Sequence, residues 1–159
     1  MDTPTSFRIR GLAPEPFQPL FALSDIELAG RGAKRMRVDA CPGFPCRVSL
    51  EDAPIDETVL LLNWEHLKTV SPYRASGPIF VREAAHAPAE FVDAIPEQLR
   101  RRLLSVRAYD GDDMMHTAEV LQGDALQAQI GIYFADSAIR YLHVHNARPG
   151  CFACRVDRP

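Results

Sequence analysis

Two histidines and two cysteines fall within a dozen positions near the end of the chain, in "LHVHNARPGCFAC", residues 142–154. Imidazole nitrogens and thiolates are the ligands zinc favours, and a thiolate beside an imidazole is also an activated nucleophile. What this stretch can do depends on which side chains share a face. In a strand successive side chains alternate, so Tyr141, His143 and His145 point one way and Leu142 and Val144 the other. On a second strand, Phe152, Cys154 and Val156 form the apolar face, and Cys151, Arg155 and Asp157 the opposite one. If the two apolar faces share one core, Val144 pairs with Phe152 and Leu142 with Cys154, around the loop "NARPG". His145 then lies opposite Cys151, at the cross-strand spacing of roughly 5 Å between Cβ atoms. The competing register pairs His143 with Cys154 and either buries the histidine face or exposes the apolar one.

In the first register His143, His145 and Cys151 could ligate one metal ion, zinc being the possible cofactor, with a fourth position open to water. Without metal, His145 and Cys151 form a catalytic dyad in which the imidazole activates the thiol. The plainest alternative is a hairpin whose histidines are merely hydrogen-bonded. Cys154 becomes a small buried hydrophobe, so its Cys-x-x-Cys spelling with Cys151 is accidental.

Other stretches carry weaker signals. "CPGFPC" is a loose cysteine pair in which Cys46 falls on a core face with Val48 and Leu50, while Cys41 sits freely at the turn. A closed four-cysteine site would need the two turns to meet in space. The loop "SPYRASGP" offers Tyr73, Arg74 and Ser76 to a small anionic ligand through charge-assisted hydrogen bonds. Equally it is a surface turn shaped by Ser, Gly and Pro. "YDGDDMMH" lacks the full calcium-loop spacing and reads as a solvated turn.

The elements that must position these residues are mostly strands. "SFRIRG", "AKRMRVDA", "CRVSL", "HTAEVLQG", "IRYLHVH" and "CFACRV" read as strands, most of them by alternation. "ETVLLLNWEH" is apolar on both sides, as a central strand is, and "GPIFVRE" follows it as another. Ser24 and Glu27 have capping-box spacing before a short helix, Pro96 opens a second, after which "LLSVRAYD" returns to strand alternation, and "DALQAQIGIYFA" supplies a third. The count is about seven or eight strands and three short helices, with connections too short for parallel crossovers. This predicts an α+β fold with a largely antiparallel sheet, as one domain over 1–159.

Composition narrows the function classes. A net charge of -3 leaves no overall positive field to gather nucleic acid. The N-terminal segment, with Asp2 and no long apolar run, lacks a secretory pattern, and the run "VLLL" is far too short to span a bilayer. A cytoplasmic protein with reduced cysteines, acting on neither nucleic acid nor membrane, is the expectation.

Taken together, "CPGFPCRVSLEDAP", "VLLLNWEHL", "SPYRASGPIFVRE" and "HVHNARPGCFACRVDR" resemble the bacterial family catalogued as domain of unknown function 1203, from about Phe7 to Arg158. The resemblance implies a small bacterial protein and transfers no catalytic residue. "YLHVHNARPG" is also similar to the His-x-His-x-His strand of the histidine triad nucleotide hydrolases, but Ala147 or Tyr141 stands where one histidine is required. The residues favour a small-molecule or metal-dependent enzyme beside the C-terminal hairpin, with Arg74 orienting an anionic substrate. The alternative is a non-catalytic binding or interaction module in which the same residues are structural.

Overall fold

The structure, a computed structural model, describes residues 4–159; Asp2 lies outside them. In chain order the elements are β1 (Arg8–Arg10), α1 (Asp25–Gly30), β2 (Lys34–Arg37), β3 (Thr58–Leu67), β4 (Ala75–Arg82), β5 (Glu90–Val92), α2 (Glu97–Arg100), β6 (Leu103–Tyr109), β7 (Met115–Gln122), α3 (Leu126–Phe134), β8 (Tyr141–Asn146) and β9 (Phe152–Asp157). These strands form two antiparallel sheets, one of six strands in the order β5-β1-β9-β8-β6-β7 and one of three, β2-β3-β4. The α+β expectation holds, with two sheets in place of one and β5 as the strand that alternation did not reveal. No helix among the described residues is long and apolar enough to cross a membrane.

Each sheet has its own apolar layer. Leu104, Val106, Leu142, Val144, Cys154 and Val156 cover one face of the six-stranded sheet and pack against Leu99 of α2 and Leu126, Ile130 and Phe134 of α3. Burying such side chains contributes roughly 1.5–3 kcal/mol each. Strand β3 is central in the smaller sheet and is apolar on both sides for that reason. Leu60 and Leu62 meet Phe17 and Leu28 on one side, and Val59 meets Val38, Phe44 and Ala53 on the other. The Ser24 capping box forms as its spacing predicts: Glu27 N donates to Ser24 Oγ at 3.2 Å and Ser24 N donates to Glu27 Oε2 at 2.9 Å.

Two local expectations fail. "CRVSL" is a turn, tied to its surroundings by single bridges, and Leu50 adopts a positive φ of 54° that a strand excludes. Cys46, Val48 and Leu50 are all buried as expected, yet Arg47 between them is buried too, so no alternation survives. The β8–β9 hairpin also departs from the favoured register throughout, and matches the competing one only at His145 and Phe152. Gly150, at φ +81°, donates its N–H to Asn146 O at 2.8 Å, and Asn146 N donates to Cys151 O at 2.9 Å. The turn thus closes one residue tighter than "NARPG" suggested. A bulge at Ala153 then adds a second step, so His145 pairs with Phe152, Val144 with Cys154, His143 with Arg155 and Leu142 with Val156. The combined shift is two residues. Cys154 and Val156 keep their core face, but Phe152 crosses to the side of the histidines.

After β7 the chain passes closely over α2: Gly123 N donates to Arg102 O at 2.8 Å, and a Cβ on Gly123 would stand 1.8 Å from the Leu99 carbonyl oxygen. Backbone cannot yield there as a flexible side chain can. Gly123→Ala is expected to lower stability in urea melts by about 2–4 kcal/mol, whereas Gly30→Ala, with open space around the added carbon, stays within about 1 kcal/mol of the parent.

Candidate metal centre

The second face of the six-stranded sheet carries rings in place of aliphatic side chains. From β8 it presents Tyr141, His143 and His145, from β6 Tyr109 and Arg107, and from β9 Phe152 and Arg155. The smaller sheet meets this face through the end of β3, where a register shift between Trp64 and Leu67 interrupts the pairing with β4. His66 stacks on Phe152 with ring centroids 5.0 Å apart and planes 7° from parallel. Its ring lies 5.0 Å from that of His145 and 6.0 Å from that of His143. One nitrogen from each of His66, His143 and His145 lies within 4.8 Å of the other two. Among the described residues no other group of three or more histidines, cysteines or carboxylates converges in this way, and this one contains no cysteine.

Burial sets the protonation of these rings. His143 and His145 are almost wholly enclosed, and desolvation pushes the His143 pKa down to about 2 and that of His145 to about 4. Desolvation also lowers that of half-buried His66, and Arg107 lowers all three further by charge repulsion. Neutral imidazoles are the form that ligates. The Nδ1 atoms of His66 and His143 are buried with no hydrogen-bond partner among the described residues, the costly condition that a bound ion would relieve. His145 is held differently. Its Nδ1 lies 3.0 Å from the Gly150 carbonyl, which must accept the ring's proton, so Nε2 carries the lone pair. Arg107 Nη1 approaches that Nε2 at 3.5 Å.

Cys151 is not brought to either imidazole. Neither nitrogen of His145 has the thiol as its hydrogen-bond partner, and Cys151 Sγ instead accepts from Arg47 Nη2 at 3.0 Å. The alternation that should have placed Cys151 with the histidines is inverted by the tighter turn and the bulge, and Phe152 takes that place. Cys154 is a core residue whose thiol is pushed up to about 12 by burial. Cys46 is buried and accepts from the N–H groups of Val48, Ser49 and Arg82, while Cys41 is exposed.

The "SPYRASGP" loop does not converge on a common point either. Arg74 is mostly exposed and pairs with Glu65 Oε2 at 3.1 Å. Tyr73 stands edge-on to Tyr109, and Ser76 is exposed within β4. Ser71 shapes the loop: its Oγ donates to Asp113 O at 2.8 Å and accepts from Tyr73 N at 3.1 Å. Asp113 in turn accepts from Tyr141 Oη at 2.6 Å and Thr69 Oγ1 at 2.7 Å, which anchors the ring layer at one end.

His66, Arg107 and Phe152 are the members of the centre that sequence reasoning overlooked. For His66 a signal existed. An ionisable ring closing the apolar run "VLLLNWEHL" is out of place on a buried strand unless something inside receives it.

The family match spans all of these residues. A family model described as "Protein of unknown function (DUF1203)" matches residues 43–158. The chain belongs to the DUF1203 family. No curated protein and no solved structure matches it. Within this DUF1203 chain the matched region holds both sheets' contributions to the ring layer, including His66, His143 and His145.

The depressed histidines give a pH dependence with a definite sign. Unfolded histidines take up protons near pH 6.5, but folded His145 does so only near 4 and His143 near 2. The unfolded state therefore binds more protons as pH falls, and stability drops from about pH 6.5 downward. In the presence of a chelator, urea stability should fall by up to about 1.4 kcal/mol per pH unit for each of these histidines between pH 6.5 and 4. His143→Gln should flatten the slope; an unchanged slope would show that His143 is not held neutral by its surroundings.

Proposed function

We propose that this protein is a metal-dependent enzyme that acts on a small anionic molecule, with one zinc-class ion held by His66, His143 and His145. The convergence of three neutral imidazoles, two of them with an orphaned buried nitrogen, carries this reading. Three histidines from two sheets leave a fourth position, the arrangement that catalytic zinc sites keep open for water or substrate. The half-exposed members, His66 and Arg107, mark the side from which that position would be reached.

Charge then constrains what sits there. The group contains no carboxylate, and Arg107 and Arg155 both stand across the strands from His143. A divalent ion beside two guanidinium groups in a low-dielectric layer is repelled unless an anion lies between them. A hydroxide or a substrate carboxylate or phosphate at the fourth position would satisfy the ion and Arg107 together. The role expected of Arg74 passes in this reading to Arg107.

A second reading, a binding or interaction module without metal, is favoured by His145, whose two nitrogens already have partners in the Gly150 carbonyl and Arg107. Metal analysis of protein purified without a histidine tag separates the two. One equivalent of zinc is expected in the parent and in Cys151→Ser, and at least a tenfold weaker affinity in His66→Asn. Absence of zinc from reconstituted parent protein, or its loss in Cys151→Ser with retention in His66→Asn, would refute this assignment.

A further inference from the structure

At the loop end of the β8–β9 hairpin the two sheets leave a cavity of about 500 Å³, within the size range of small-molecule sites. Leu61, Pro78 and Phe80 of the smaller sheet form an apolar wall, and the opposite side carries Cys151, Asn146 and several arginines. No imidazole of the ring layer lines this cavity.

Arg47 lies at its floor, 1% exposed, and pairs with no carboxylate among the described residues. Its Nε donates to Phe152 O at 2.8 Å, its Nη1 to Pro45 O and its Nη2 to Cys151 Sγ at 3.0 Å. A guanidinium has five N–H donors, so two remain. A buried cation held only by carbonyls and a sulfur lacks the counter-charge that such groups ordinarily have. The surrounding charge reinforces it: Arg101 and Arg102 share Asp52, and exposed Arg148 lines the cavity with no ion pair among the described residues. Asn146, 5% exposed, lines the same cavity and has a buried Oδ1 with no donor among the described residues. The orphaned acceptor asks for an O–H or N–H, the unpaired guanidinium for an anion, and the wall for an apolar body.

We infer that this cavity binds a small organic carboxylate with an apolar body and a hydroxyl or amino group beside the carboxylate. The carboxylate lies on Arg47 and Arg148, the donor on Asn146 Oδ1 and the body against Phe80. Cys151 Sγ, half-buried beside Arg47, is covered by the bound molecule. Phosphate lacks the body and the primary amide lacks the charge, so neither should compete.

Cys151 reports occupancy directly. In a Cys41→Ser background, which removes the exposed thiol and leaves Cys46 and Cys154 buried, iodoacetamide labelling of Cys151 is followed by mass spectrometry with phenyllactate, 3-phenylpropionate, phenyllactamide or inorganic phosphate present. Phenyllactate is expected to slow labelling at least threefold, 3-phenylpropionate to need about tenfold more for the same effect because it leaves Asn146 unpaired, and the amide and phosphate to give no protection. Arg148→Ala, a surface change that should leave the fold intact, should weaken phenyllactate protection at least fivefold. The proposal is overturned if no carboxylate protects at about 10 mM, which would saturate a site of 1 mM affinity. It is equally overturned if phosphate or the amide protects as well as the acid, if phenylpropionate matches phenyllactate, or if Arg148→Ala changes nothing.

Discussion

The two sheets meet through rings that must stay uncharged, and that constraint governs the rest of the molecule. An aliphatic interface would tolerate a range of side-chain shapes; this one stacks His66 on Phe152, sets Tyr109 on Tyr141 at 5.2 Å, and places His143 edge-on to both Phe152 and Tyr109. Protonated imidazoles would face Arg107 and Arg155 across neighbouring strands with no carboxylate in the group. Burial removes that conflict by holding the rings neutral, and neutrality leaves each ring one lone pair, with one nitrogen of each within 4.8 Å of the others. Aromatic packing accounts for the enclosure, but it does not account for two buried Nδ1 atoms without partners. That unsatisfied polarity is the observation that supports the proposal of a ligating centre over a merely aromatic seam.

The hairpin turn decides which chemistry goes where. Because Gly150 closes the loop tightly and Ala153 bulges, Phe152 faces the ring layer while Cys151 faces the arginine-lined cavity. Adjacent residues thus serve different environments, and the backbone between them is held from both sides. The Phe152 carbonyl accepts from Arg47 at 2.8 Å and the Gly150 carbonyl lies 3.0 Å from His145 Nδ1. A shift of the backbone at 150–152 would therefore be felt in the cavity and among the imidazoles together.

Much of the architecture was legible because periodicity reports burial. The strands around the hairpin, the central position of β3 and the Ser24 capping box all follow from local pattern. What escaped was set by backbone irregularity and by contacts distant in sequence. Periodicity assumes an uninterrupted ladder, so one extra residue at Ala153 moved Phe152 to the opposite face and separated Cys151 from His145. The third imidazole comes from 77 positions before His143, a separation no local spacing encodes. Cys151 was the expected third ligand, whereas the imidazole that converges, His66, belongs to the other sheet. Arg47 was hidden likewise, because "CRVSL" alternates like a strand but folds as a turn that buries its charged residue.

X-ray absorption at the zinc edge of the reconstituted, tag-free protein addresses the central claim most directly, because nitrogen and sulfur ligands differ in distance. The account predicts three imidazole nitrogens at about 2.0 Å, one further oxygen shell and no sulfur. A sulfur shell near 2.3 Å, or zinc bound with fewer than three imidazoles, would contradict it.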